Sequence, residues 1–200
     1  MRGYFRKTIL NSDKELQAYV IGLALGDGNL SNPNGRAVRL RISCDTKYPF
    51  LIQKIIASLK NLLPQNKIGT VNKKDKNCTD ISVYSNCLEK LLGWKARGGS
   101  KFNQKTSVPD WIKQNDGYKI NCLRGLIETD GAVYNDRGYR MIIFTSIIPE
   151  LANNFYEMTL SLGFHPHIYE IKQHHKQTLY HIRLSKNVDK FLELIKPEKK

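Results

Sequence analysis

The sequence predicts an α+β fold built from two similar halves, each with the element order αββαββα. Segments 19–28 (YVIGLALGDG) and 122–131 (CLRGLIETDG) share the pattern Gly-Leu-x-x-x-Asp-Gly after an apolar turn. The segments that follow them also align, with Pro49 matching Pro149 at the start of an apolar helix. Further along, DISVYSN (80–86) matches HIRLSKN (181–187), and each leads into another apolar helix. Similarities in the same order indicate two copies of one structural unit.

Alternating polarity identifies strands and predicts which face of each sheet is open. In segments 36–43 and 80–84, apolar residues alternate with polar ones, which is the period of a half-buried strand. The apolar side should be covered by helices, and the polar, basic side should be open. The residues predicted to face inward are Val38, Leu40, Ile42, Ile81 and Val83.

The repeat also predicts where the two halves begin and end. Residues 12–94 should form the first half and residues 119–197 the second. Residues 95–118 between them carry the glycine, proline and polar residues of a linker. Within this linker, the VPDWI stretch predicts the start of a short helix.

The composition points to a nucleic acid as the partner. The chain has 32 Lys and Arg against 18 Asp and Glu, a formal net charge of +14. A folded domain this basic usually binds a polyanion, because neutralising phosphates releases condensed counterions. No apolar run approaches the length of a membrane span, so no membrane partner is expected. Four scattered cysteines without a CxxC pair are typical of reduced thiols, which predicts an intracellular protein, cytoplasmic or organellar.

Small residues on the two repeated helices predict that these helices pack closely together. Gly22 and Gly26 are four residues apart, and so are Gly125 and Thr129. Small residues at this spacing let two helix backbones approach each other.

If the two helices pack through those faces, Asp27 and Asp130 lie side by side at the same end. Gly28 and Gly131, which follow them, fit a left-handed helix stop. A carboxylate at a helix C-terminus opposes the helix dipole at a cost of about 0.3 to 1 kcal/mol, and two such groups also repel each other. A divalent cation removes this conflict, since carboxylate and carbonyl oxygens bind it well. The pattern therefore predicts a metal site.

The segments GLALGDG and GLIETDG resemble the two motifs of single-chain, two-motif LAGLIDADG homing endonucleases. The linker sequence KTSVPDWI resembles the segment often found ahead of the second motif in that family. The resemblance covers residues 12–197. It implies two αββαββα halves related by pseudo-twofold symmetry, with the motif helices at their interface and antiparallel sheets that form a DNA-binding saddle.

The resemblance also implies the residues of a catalytic metal site. Asp27 and Asp130 correspond to the family's metal ligands, and the backbone carbonyls of Gly26 and Thr129 are candidate supporting ligands. The expected ion is Mg²⁺, with Mn²⁺ or Ca²⁺ as substitutes in binding. Such ions would polarise the scissile phosphates, activate water and stabilise the leaving oxygens.

The family places polar or basic residues around this site. By position these fall near Asp45, Thr46 and Lys47 in the first half and near Thr145 and Ser146 in the second. Lys47 and Lys186 are the candidate catalytic lysines.

Glu128 belongs to the second motif as well, but it is expected to lie outside the metal site. It precedes Asp130 by two residues and therefore points roughly 200° away from it around the helix.

The open sheet faces are the predicted DNA-binding surfaces. A two-stranded ribbon fits the major groove, where Arg can bind guanine edges through two hydrogen bonds. Basic residues at the hairpin ends suit phosphate contacts. The candidate DNA-binding residues are Arg39, Arg41, Ser43, Lys73, Lys74, Ser82, Tyr84, Arg140, Lys172, His181 and Arg183.

These features together predict a site-specific double-strand DNA endonuclease that acts as a monomer, because one chain holds both halves. We expect a free-standing protein encoded in an intron, with a long DNA target. An alternative is an RNA maturase, in which the same scaffold binds intron RNA and assists splicing. A transcription regulator built on the scaffold would predict loss of one or both aspartates, and both are present.

Overall fold

The computed structural model describes residues 9–174 and 176–199, except for the side chain of Lys74. The first half contains α1 (Lys14–Asp27), β1 (Gly28–Ser31), β2 (Arg39–Asp45), α2 (Pro49–Leu62), β3 (Ile68–Lys73), β4 (Cys78–Tyr84) and α3 (Leu88–Leu92). A short helix, α4 (Asp110–Lys113), follows in the linker at the VPDWI stretch. The second half contains α5 (Asp116–Asp130), β5 (Gly131–Asp136), β6 (Tyr139–Ser146), α6 (Pro149–Ser161), β7 (His167–Ile171), β8 (Leu179–Leu184) and α7 (Val188–Ile195).

Each half forms one antiparallel sheet of four strands with the same topology. The strand orders are β1-β2-β4-β3 and β5-β6-β8-β7, so the strand after the second helix of each half is an edge strand. The predicted α+β fold of two αββαββα halves is confirmed. Pro49 and Pro149 lie in the first turns of α2 and α6, where a proline costs no helical hydrogen bond.

Helices cover one face of each sheet and bury its apolar side chains. In the first sheet, Leu40 and Ile42 are fully buried, as the alternation predicts. In the second sheet, Phe144 packs against Phe155 of α6 with the ring centroids 4.4 Å apart. Within the described part of the chain, the side chains of the opposite face, as along β2 and β8, are only half-buried, so this face is available to a partner.

The starts of the two central helices are fixed by side-chain caps. The Asp13 carboxylate accepts hydrogen bonds from the backbone amides of Glu15 and Leu16 at 2.9 and 3.1 Å. The Asn115 side chain accepts from the amide of Tyr118 at 3.2 Å. Such a cap is worth about 1 kcal/mol to a helix. Among the described residues, no helix combines the length and apolar character needed to cross a membrane.

The glycines after the two aspartates do not adopt the predicted left-handed conformation. Gly28 (φ −80°, ψ 144°) and Gly131 (φ −94°, ψ 158°) are extended, because the chain passes directly from each helix into a strand. Space is what requires glycine at both positions. A Cβ on Gly28 would lie 2.3 Å from the carbonyl oxygen of Ala24, and one on Gly131 would lie 2.6 Å from the Cα of Ile127.

Candidate functional site

Helices α1 and α5 form the interface between the two halves, and their backbones touch. A Cβ added to Gly22 would lie 2.3 Å from the carbonyl oxygen of Cys122. One added to Gly125 would lie 2.6 Å from both the amide nitrogen of Leu23 and the carbonyl oxygen of Tyr19. The helix pairing predicted from the small residues is therefore present.

This pairing places Asp27 and Asp130 at neighbouring helix ends. A Cβ on Gly26 would lie 3.3 Å from a carboxylate oxygen of Asp130, which shows how closely the second helix end approaches the first. Asp27 remains exposed and Asp130 is half-buried, so a solute can reach both carboxylates. Gly26 and Thr129 immediately precede them, so the structure brings all four predicted metal ligands to one place.

The two carboxylates resist ionisation. Desolvation among the surrounding protein atoms, followed by the nearby charge of Asp27, raises the pKa of Asp130 to about 6. Desolvation raises the pKa of Asp27 as well. Lys101 and Lys199 oppose both increases. Raised carboxylate pKa values in a cleft are typical of functional sites.

Two lysines that the sequence analysis did not select lie at the ends of the motif helices. The Lys101 ammonium donates hydrogen bonds to the carbonyls of Leu25 at 2.6 Å, of Ala24 at 3.3 Å and of Gly26. Its burial lowers the pKa of Lys101, and the two aspartates partly offset this effect.

The second such lysine is Lys199. Its ammonium donates to the carbonyls of Thr129 at 2.9 Å and Gly131 at 2.8 Å. Cations at helix C-termini complement the helix dipole. The two lysines partly compensate the electrostatic conflict between the helix ends and the carboxylates, although the pKa values of both aspartates stay raised. In the sequence, each of them is a basic residue that follows the third helix of a half, and no motif distinguishes it from other lysines.

A cleft opens beside Asp130. Thr145 and Ser146, predicted to lie near the site, line it together with Gly26 and Lys101. Gln177, which the sequence analysis did not select, also lines this cleft. Hydroxyl and amide groups of this kind can hold water near a phosphate.

The two candidate catalytic lysines lie in different surroundings. The exposed Lys47 pairs with Asp45, with 3.4 Å between its ammonium and the carboxylate. Hydrogen bonds from the backbone and side chain of Lys47 lower the pKa of Asp45, and the hydrogen bond to Asp45 raises the pKa of Lys47.

Lys186 is exposed just beyond β8, at the strand end that pairs Leu184 with Ile142. The aspartates lie toward the other end of this sheet, where Gly131 pairs with Phe144. The structure therefore does not bring Lys186 together with Asp27 and Asp130.

Glu128 lies outside the metal site, as its helical position predicts. Its buried carboxylate accepts a hydrogen bond of 2.5 Å from the Tyr19 hydroxyl and one of 2.8 Å from the backbone amide of Glu198. Lys54 contacts both glutamates, at 3.4 Å for Glu128 and 3.2 Å for Glu198. Burial and the nearby Glu128 carboxylate raise the pKa of Tyr19.

The open face of the first sheet carries the predicted residues. The register pairs Arg39 with Tyr84 and Arg41 with Ser82, and Ser43 lies on the same face. Burial alternates along β2, because the residues between those of the open face, Leu40, Ile42 and Cys44, are buried.

A buried acid organises the centre of this face. The Asp80 carboxylate contacts the Lys73 ammonium at 2.5 Å, the Ser43 hydroxyl at 2.7 Å and the Arg41 guanidinium at 3.7 Å. Burial favours the neutral form of Asp80, but the hydrogen bonds from Lys73 and Ser43 outweigh it and lower its pKa. The sequence pattern placed Asp80 on this face without indicating that it pairs with the basic residues there.

The open face of the second sheet contains His181 and Arg183, opposite Thr145 and Ile143 of β6. The Arg183 guanidinium donates to the Tyr169 hydroxyl at 3.2 Å and lies 5.3 Å from the centre of that ring. Lys172 is exposed in the loop after β7. The side chain of the predicted residue Lys74 lies outside the described part of the chain.

The predicted placement of Arg140 on this open face is wrong. Along β6, Ile142 and Phe144 are buried under the helices, and Arg140 shares their alternation. It forms an ion pair of 3.0 Å with Asp189 of α7. The MIIF segment is apolar at consecutive positions, so the alternation that places β2 gives no direction here.

Comparisons with known proteins agree with this architecture. A family model described as a LAGLIDADG-like domain matches residues 117–196, and one described as a WhiA LAGLIDADG-like domain matches residues 16–80. Together the two matches span most of the chain. No curated protein matches the sequence.

Solved structures share the fold at low sequence identity. The homing endonuclease I-DmoI in complex with DNA and Mn has a TM-score of 0.68 and 20% identity, covering 91% of this chain and 96% of that one. The I-DmoI complex with DNA and Ca has a TM-score of 0.60 and 19% identity, covering 90% and 86%.

The N-terminal LAGLIDADG domain of DUF199/WhiA has a TM-score of 0.61 and 13% identity, covering 98% of this chain and 96% of that one.

Each half matches a LAGLIDADG-like family model, and each carries its motif helix at the interface. The two family-model matches together cover more than half of the chain, so the chain belongs to the LAGLIDADG family, with one LAGLIDADG-like domain in each half.

Proposed function

We propose that this chain is a site-specific endonuclease that cuts both strands of a DNA duplex with the help of divalent metal ions. The observation that carries the proposal is the pair of accessible carboxylates, Asp27 and Asp130, at the adjoining ends of α1 and α5. Two acids with raised pKa values, placed together next to basic surfaces, have no evident structural purpose and suit phosphodiester chemistry.

The donor set fits a small hard cation. Within residues 9–174 and 176–199, no three His, Cys, Asp or Glu side chains form a metal-binding group. Mg²⁺ does not require one, since it typically uses one or two carboxylates together with water and substrate phosphates. Asp27 and Asp130 would hold it, with the carbonyls of Gly26 and Thr129 in support. When bound, the metal would polarise the scissile phosphate and make water a stronger nucleophile.

The remaining residues of the chain supply binding and orientation. Arg39, Arg41 and Arg183 project from open sheet faces without covering helices, where DNA can approach. Thr145 and Gln177 line the cleft beside Asp130 and can hold water there. The similarity to I-DmoI, whose structures contain DNA with Mn or Ca, supports both DNA and a divalent cation as partners.

The proposal also includes intron homing, a monomeric state, an intracellular location and Mg²⁺ as the physiological ion. The test is cleavage of a library of long randomised DNA duplexes in Mg²⁺, with EDTA as the control. We expect double-strand cuts at one recurring sequence, in the Mg²⁺ sample alone.

The same experiment can reject the nuclease. Tight, sequence-specific binding without cuts in Mg²⁺ or Mn²⁺ would contradict the proposal. Binding of intron RNA in preference to duplex DNA would then favour the maturase, and retained preference for duplex DNA would favour a regulator.

A further inference from the structure

Lys101 and Lys199 occupy similar places, each in the segment that follows the third helix of one half. Lys101 follows α3, the third helix of the first half, and its ammonium lies at the carbonyl end of α1 in the same half. Lys199 follows α7 in the second half and lies at the carbonyl end of α5. Each motif helix therefore receives one ammonium group at its carbonyl end from the segment that follows its half, which is the linker for α1 and the residues after α7 for α5.

These ammonium groups use backbone oxygens that a metal ion would also use. The carbonyl of Gly26 accepts from Lys101, and the carbonyl of Thr129 accepts from Lys199. Both lysines also act electrostatically on Asp27 and Asp130. An ammonium group and a divalent cation repel each other, so the same oxygens do not readily serve both at once.

Lys199 is held in place by the contacts of the preceding residue, Glu198, with α5 and Lys54. The backbone amide of Glu198 donates to Glu128 at 2.8 Å, and Lys54 bridges the carboxylates of Glu128 and Glu198. Glu128 is buried on α5, one residue before Thr129. The contacts of Glu198 therefore position the backbone of the next residue so that the Lys199 ammonium reaches the end of α5.

We propose that Lys101 and Lys199 are resident cations that neutralise the metal-free site and must leave their carbonyls when a divalent ion binds. The affinity of the protein for metal is then set by competition with its own lysines. This inference rests on the proposed function, because it takes Asp27 and Asp130 to be the metal ligands.

The test is calorimetric titration of the whole chain with Mn²⁺ in the absence of DNA, which reports binding and not activity. The variants are Lys101→Met, Lys199→Met and the double substitution, which keep most of the side-chain volume and remove the charge. We expect each single variant to bind Mn²⁺ about 10-fold more tightly, equivalent to about 1.4 kcal/mol, and the double variant to bind more tightly than either.

Lys90→Met is the matched control, since Lys90 is exposed on α3 and its removal changes the net charge equally. Its affinity should equal that of the wild type. If the half-buried Lys101 proves necessary for folding, Lys199→Met in the whole chain tests the second position alone. Unchanged or weaker Mn²⁺ binding by the folded lysine variants would overturn the inference.

Aspartate variants separate this inference from the proposed function. If Asp27→Asn and Asp130→Asn lose Mn²⁺ binding while the lysine variants bind like the wild type, the competition is wrong and the metal site stands. If the wild type and every lysine variant fail to bind Mn²⁺ without DNA, the competition is wrong, and cleavage of duplex DNA in Mg²⁺ decides separately whether the metal-dependent function stands.

Discussion

Ionisation of Asp130 lowers the free energy of unfolding of the metal-free protein. Its pKa is about 6, against 3.8 for an unperturbed aspartate, because burial and the charge of Asp27 disfavour the carboxylate. Between these values the folded state binds more protons than the unfolded state, so stability falls as pH rises. The destabilisation is absent below about pH 4 and fully present above about pH 6.

Replacing Asp130 with Asn should therefore stabilise the metal-free protein at neutral pH. Solvent that reaches the cleft screens part of the effect, so we expect a rise in melting temperature of roughly 2 to 4 °C, about 1 kcal/mol in a chain of this size. Calorimetry in EDTA at pH 7.5 measures it. The difference should shrink at pH 4.5, and the exposed Asp75→Asn controls for net charge. A lower melting temperature for Asp130→Asn at pH 7.5 would contradict this electrostatic explanation.

The close contact of α1 and α5 depends on glycines that leave no room for a side chain. Gly125→Ala should destabilise the fold by about 1 to 3 kcal/mol, because its Cβ would meet the backbone of α1 at 2.6 Å and force the helices apart. This outweighs the gain in helix propensity of about 1 kcal/mol. Urea denaturation gives the free energy of unfolding.

Gly117→Ala in the same helix is the matched control. There the Cβ would meet the flexible Glu15 carboxylate at 2.9 Å, which can move away, and the capping side chain of Asn115 at 3.2 Å, which needs to shift by only a few tenths of an ångström. Gly117→Ala should leave the stability unchanged or raise it. Equal effects of the two substitutions would show that helix propensity, and not the contact between helices, determines the outcome.

The elements illustrate which parts of the structure local sequence can predict. The glycine spacing predicted the helix pair, and strict alternation predicted the face of β2, because both patterns repeat within one element. The direction of Arg140 could not be predicted, since consecutive apolar residues in β6 pack on both faces. The extended conformation of Gly28 depends on how the helix continues into the sheet, which the residue type alone does not indicate.

In the molecule as a whole, the net charge of +14 is combined with two open sheet faces. We expect Arg41→Ala and Arg183→Ala each to weaken binding of the target duplex about 10-fold or more, the loss typical of an arginine that contacts a base. Arg140→Ala removes the same charge from the side that pairs with Asp189, so it should have a much smaller effect.

Fluorescence anisotropy at several salt concentrations distinguishes these cases. Loss of a phosphate contact also lowers the salt dependence of binding, whereas loss of a base contact changes sequence preference. An Arg140→Ala variant as defective as Arg41→Ala would contradict the assignment of the open faces as the DNA-binding surface.

The repeat made the whole fold predictable, because each half had to bury the same apolar pattern. The aspartate pair followed from that symmetry. Lys101 and Lys199 were not predictable, since their positions depend on the path of the linker and the tail, which share no sequence pattern. Lys186 lies just beyond the end of β8 that is remote from the aspartates, because matching sequence positions at strand ends do not fix which end faces the site.

Cleavage of the preferred DNA site in Mg²⁺ by Asp27→Asn and Asp130→Asn tests the central claim most directly. If the two aspartates hold the catalytic metal, each variant should lose double-strand cutting by about 100-fold or more while still binding the duplex, since charge stabilisation dominates such reactions. Cutting at the wild-type rate by either variant would show that the aspartate pair is not the catalytic centre.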